Sequence, residues 1–197
     1  MILGVAVHNA IDQQLKPWNN AQCLSAHNPS ADFTEEWISH PVIPLHGLLS
    51  AHSKSTQNYA QTARGKRTPH HPRKHAQISQ DDLLAQLSFG TWTSILPNPN
   101  RPRVSTPKTR IWEEAIVSAF PGVDQGDAGI RQIGEPLKKL YNLRNRVAHG
   151  EQLLEVNVQA RFSDVLRALA CIDQELADWC VDVSRVRAVQ KLRPKVS

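Results

Sequence analysis

An all-α fold follows from three stretches in which apolar residues return every three or four positions: 2–15, 133–151 and 158–186. Such a recurrence makes one face of an α-helix apolar, and a helix with one apolar face must bury it against another. With 197 residues, 40% of them hydrophobic and 21% charged, the chain can enclose one ordinary core. The pattern divides it into a bundle helix over 1–15, an irregular and partly disordered connector over 16–78, and a helical core over 79–190.

The opening helix, Ile2 to Leu15, places Leu3, Val7, Ala10, Ile11 and Leu15 on one side. It starts already apolar, with no capping residue ahead of it. Met1 to Val7 lacks a basic lead and runs straight into polar sequence, so it does not read as a signal peptide. No stretch approaches the run of about 18 apolar residues that spans a membrane. Cys23, Cys171 and Cys180 are an odd set. The last two fall on one predicted helix, about 13 Å apart along its axis, too far for a disulfide. A reducing, cytoplasmic setting is expected, with no cofactor and no metal framework.

From Lys16 to about Gln80 the periodicity dissolves. Six prolines and many Ser, Asn, Gln and His residues predict a long connector with short helical pieces at 31–38 and 45–49. Within it, Arg64 to His75 holds Arg64, Lys66, Arg67, Arg73 and Lys74 and no acid, against a formal net charge of +5 for the whole chain. So local an excess is the pattern of a phosphate-binding strap, which supplies affinity and salt dependence but no sequence readout. A solvated loop that merely aids solubility is the competing reading. His70, His71 and His75 have no Cys or acidic companions and form no specific metal-ligand pattern.

Order returns at Ser79, which with Asp82 forms a capping-box start for a helix running to Leu96 before Pro97. Residues 97–107 are a proline-rich connector, and Thr109 to Ala119 reads as a short helix ending before Pro121 and Gly122. A further helix is expected over Glu135 to Glu151, with Pro136 in its first turn and Gly150 just past its end. The longest element, about Val158 to Val186, carries a heptad-like seam from Phe162 to Val183. It should lie antiparallel to the helix bearing Leu137, joined by a short turn.

Near its carboxyl end the Glu135 helix presents Arg144, Asn145 and His149. Arg144 falls inside the apolar sector, while Asn145 and His149 share its edge. Arg144 and His149 are about 7.5 Å apart along the axis and about 140° around it.

The string RNRVAHGE over 144–151 resembles the signature of the HEPN superfamily, an Arg, a polar residue, three more residues and a His. HNAIDQQLKPWN over 8–19 and DDLLAQLSFGTWTSILP over 81–97 are similar to its Abi-like (abortive infection) branch. The resemblance implies a HEPN-like helical bundle that dimerises so that two such motifs line one cleft. It also implies a toxin-type ribonuclease acting in phage defence or growth arrest. In RNA cleavage without metal, the ribose 2′-hydroxyl attacks the adjacent phosphorus, leaving a 2′,3′-cyclic phosphate and a 5′-hydroxyl. His149 would then carry the proton, Arg144 would stabilise the phosphorane, and Asn145 would orient one of them, with Glu151 tuning the imidazole. RNA and a second copy of the chain are the implied partners. An antitoxin, or the helices that the branch carries ahead of this point, would be a third. Departures from the branch are His8 where an Arg is usual, Gly150 where a second His is usual, and no Tyr at the spacing used for silencing by nucleotidylation. The alternatives are a non-catalytic HEPN module that binds RNA, a nucleotide or a protein, and a helical interaction protein in which Arg144 and His149 serve only helix-end contacts.

Overall fold

A computed structural model describes residues 2–25, 35–101 and 106–192. Among these every regular element is helical: α1 (Ile2–Ser25), α2 (Leu45–Gly65), α3 (Gln80–Leu84), α4 (Phe89–Ile95), α5 (Pro107–Glu114), a 3₁₀ turn (Ile116–Ala119), α6 (Asp127–Ala148), α7 (Val158–Ala170), α8 (Gln174–Val183) and α9 (Val186–Lys191). The all-α class expected from the periodicity is the fold observed. The chain forms two compact units, one of residues 1–12 with 96–197 and the other of residues 13–95.

The 13–95 unit corrects the expectation of an irregular connector. The opening helix runs on through Pro17 to Ser25. A proline inside a helix removes one backbone hydrogen bond, but Leu15, Trp18 and Asn19 around it are buried. Asn19 also ties the following loop to the helix, donating from Nδ2 to the His40 carbonyl and accepting from the Val42 N–H, each at 3.0 Å. The loop then buries Trp37, whose ring meets Trp92 edge-on with centroids 5.8 Å apart. Of the helical piece expected over 31–38, residues 31–34 lie outside the described residues, and 35–38 form bends and turns.

Helix α2 is the larger correction, because only its first five residues were expected to be helical. Its buried positions are Leu45, Leu49, Thr56 and Ala60, spaced as one helical face demands. Two of the four are small or polar, so a search for large apolar residues passes over them.

Other boundaries moved because capping residues outrank apolar periodicity. The helix expected from Ser79 to Leu96 is two helices. Ser79 and Asp82 make the expected capping box on α3, and Ser88 accepts the Thr91 N–H at 3.1 Å to start α4 afresh. The segment 109–119 is likewise split between α5 and the 3₁₀ turn, with Thr106 and Thr109 capping the former. The long element of 158–186 breaks at Asp173, which caps α8 by accepting the Glu175 N–H at 2.8 Å, and again at Ser184. After the first break the buried face passes to Ala177 and Cys180, leaving Trp179 and Val183 about half exposed. Cys171 and Cys180 thus sit on successive elements, and both are free thiols.

Helix α6 starts at Asp127, earlier than expected, so Pro136 lies in its interior rather than its first turn. Gly129 lies in the added first turn. A Cβ there would come within 2.2 Å of the Asp124 carbonyl oxygen, so the approaching loop requires glycine. Ile130, Ile133, Leu137 and Leu140 are the buried stripe of α6. It packs on α7, and α7 packs on α8 and α9. Residues 131–139 of α6 face 167–174, and residues 139–146 face 156–161, so α6 and α7 form an antiparallel hairpin.

Candidate functional site

The hairpin bend carries the RNRVAHGE string. His149 caps α6, its N–H donating to the Asn145 carbonyl at 2.9 Å. Gly150 takes a φ of +68°, a conformation strained for residues with a side chain. That turn lets Glu151 donate its N–H to the Arg146 carbonyl at 2.9 Å, closing a Schellman-type C-cap. Asn157 then starts α7 by accepting the Ala160 N–H at 2.9 Å. Backbone bonds close the α6 end of the bend and the Asn157 side chain starts α7, so the side chains of Arg144 and His149 take no part in holding it.

Arg144 is exposed and donates from Nη1 to Asn145 Oδ1 at 3.2 Å. It stands at the rim of an apolar groove of about 330 Å³ whose walls include Leu140, Leu143, Val147, Phe162 and Val165. Arg144 thus lies on the apolar sector of α6, as its position in the helix implies, with its side chain still open to solvent. His149 is exposed at the helix end, with no side-chain hydrogen bond among the described residues. Arg144 and Asn145 are brought together; His149 lies more than a turn further on, about 140° away from Arg144 around the helix. Glu151 is engaged elsewhere, accepting from Arg146 Nε at 3.2 Å, while Arg146 Nη2 reaches the Gln152 carbonyl at 2.6 Å.

The basic segment 64–75 is folded onto itself and onto one carboxylate. Arg67 and Arg73 both bind Asp82, at 2.5 and 2.8 Å, and Arg73 also donates to Ser79 Oγ at 2.6 Å. Arg64 reaches the Ala76 carbonyl at 3.2 Å. Lys74 Nζ donates to the Gly65 and Arg67 carbonyls at 2.7 and 2.6 Å. Lys66 is exposed. Burial works against the charge on Asp82, but the Ser79 N–H and hydroxyl and the Arg67 guanidinium outweigh it and hold its pKa below the usual carboxylate value.

A second set of cations was not singled out from the sequence. Arg131, Lys139 and Arg167 line an open groove of about 750 Å³ between α6 and the α7–α8 junction, with Gln132 and Gln174 as polar walls. Lys139 continues into a neighbouring groove of about 310 Å³ that includes Arg146 and Arg161. Asp164, only 1% exposed, sits between Arg161 and Arg167 and pairs with both. Burial pushes the Cys171 thiol up, as does nearby Asp124, against the opposing pull of Arg167, so the thiol at the groove floor stays protonated near neutrality. The signal in the sequence was a spacing: Arg131, Lys139 and Arg146 fall within about 80° of one another around α6.

Among the described residues no group of three or more His, Cys, Asp or Glu residues is placed to hold a metal ion. No helix there is long and apolar enough to cross a membrane. Comparison of the chain with family models, curated proteins and solved structures gives no match.

Proposed function

We propose that the chain is a HEPN-type endoribonuclease of the Abi-like kind, acting in the cytoplasm as a homodimer in phage defence or toxin-type growth arrest. The observation that supports this most is that Arg144, bonded to Asn145, and His149 are both exposed at the carboxyl end of α6, at a bend whose backbone is otherwise satisfied. In this reading His149 takes the proton from the ribose 2′-hydroxyl as its oxygen attacks phosphorus. The P–O5′ bond breaks as the 5′-oxygen takes a proton from solvent water, and a 2′,3′-cyclic phosphate remains. Arg144 stabilises the charge that builds on the phosphorane oxygens, and its bond to Asn145 fixes the guanidinium. Lys66, exposed in the basic segment, acts as an auxiliary phosphate contact.

The pairing of Glu151 with Arg146 rather than with His149 favours a second reading, a non-catalytic module that binds RNA, a nucleotide or a protein partner such as an antitoxin through the same bend. Incubating wild-type and His149→Ala protein with total cellular RNA in EDTA separates the two. Fragments with cyclic phosphate ends that vanish in the variant are expected. Intact RNA from folded wild-type protein would leave the binding module.

A further inference from the structure

The cations of the α6–α7 groove lie along a line that leads to the hairpin bend. Arg131, Glu135, Lys139, Asn142 and Arg146 follow one stripe of α6, and the next position on that stripe is His149. Arg131 and Arg146 are separated by about 22 Å of helix axis, room for about six nucleotides at the 3.4 Å rise of a stacked strand. Across the groove, α7 supplies Arg161 and Arg167. Their shared partner Asp164 is buried and carries one negative charge for two guanidiniums. It tethers Arg167, whose side chain is still largely exposed, and leaves an excess positive charge beside the groove, so a ligand meets a cation already held at its edge. Glu135 is the exception on this stripe, a carboxylate with no cationic partner among the described residues.

We propose that this groove is the track for a single RNA strand, gripped by its phosphates at Arg131, Lys139 and Arg167 and delivered to His149. The inference rests on the ribonuclease reading for its ligand and extends it with a binding path. Charges repeated along a line, with amide side chains between them, match a phosphodiester backbone and carry no base code, so affinity is salt-dependent and tolerant of sequence. The unpaired Glu135 weakens the grip, which eases release of the product strand.

The test is fluorescence anisotropy of a labelled oligouridylate of about eight nucleotides, titrated with full-length His149→Ala protein over a range of NaCl concentrations. The double variant Arg131→Gln/Lys139→Gln should bind at least tenfold more weakly with a shallower salt slope, with its melting temperature unchanged because both side chains are exposed. Glu135→Gln should bind about two- to threefold more tightly, a gain that misfolding does not produce. Unchanged affinity and slope in both variants would overturn the track, as would complete displacement of the RNA by an equal charge of polyglutamate. Cleavage that depends on His149 together with unaltered binding by the groove variants would sink the track alone. Groove-dependent binding of RNA that wild-type protein leaves intact would support the track and remove the catalytic reading.

Discussion

The segment 64–75 and the two grooves between α6 and α7 hold equal numbers of Lys and Arg residues, differently committed: in the grooves Arg146, Arg161 and Arg167 pair within the protein while Arg131 and Lys139 stay exposed. In the first the cations are crowded within twelve positions of sequence, yet Arg64, Arg67, Arg73 and Lys74 are spent on carbonyls, Ser79 and Asp82 of the same unit. In the second they are scattered over 131–167, yet helix spacing and one hairpin bring them to two neighbouring grooves. Density along the chain is therefore a poor guide to charge available for a ligand. A guanidinium that already donates to a carboxylate and a hydroxyl loses those bonds on turning to a phosphate, whereas an exposed Lys on a helix face loses only water.

The largest expected effect concerns the bend itself. His149→Ala and Arg144→Ala should each lower RNA cleavage by at least about 100-fold without moving the melting temperature, measured by fragment yield and circular dichroism. Neither region of positive charge would rescue that loss. A melting temperature that fell with activity would instead assign both residues to helix-end contacts.

Next in size is Asp82→Asn, which removes the charge that Arg67 and Arg73 share. It should cost about 2 kcal/mol in urea unfolding while leaving RNA affinity within a factor of about two. A large drop in affinity with unchanged stability would reverse the assignment of the two basic regions.

Acid titration sharpens the same contrast. Burial lowers the His8 pKa to about 4. The folded state therefore keeps this imidazole neutral while the unfolded chain begins to protonate near 6.5. Stability is full above that value and falls as the pH drops from about 6.5 to 4, by about 2 kcal/mol after allowance for partial exposure. The Asp82 pKa is depressed, so its contribution is present above the unfolded carboxylate value and is lost at lower pH, as the carboxylate protonates. His8→Gln should flatten the first phase only and Asp82→Asn the second only, followed by urea midpoints at each pH. The smallest effect is reserved for Lys66→Ala, which should weaken RNA binding less than about twofold, against the tenfold loss expected for the groove double variant.

The sequence by itself determined the helical class, the apolar faces of α1 and α6, the capping box of Ser79 with Asp82, the glycine at 150 and the order of the hairpin. These are local properties, set by 3.6-residue periodicity and by residues that satisfy the backbone around them. It also put Arg144, Asn145 and His149 on one helix end. It did not show α2, whose buried face includes Thr56 and Ala60, nor the breaks at Ser88 and Asp173, where a capping side chain wins over an apolar seam. Only the tertiary structure decided which charges stay open to solvent. Asp82 reaches back to Arg67 and Arg73, and the α6–α7 hairpin sets Arg167 across from Arg131 and Lys139. Both outcomes depend on pairings between separate segments, and no local pattern in the chain encodes which charge will find which partner.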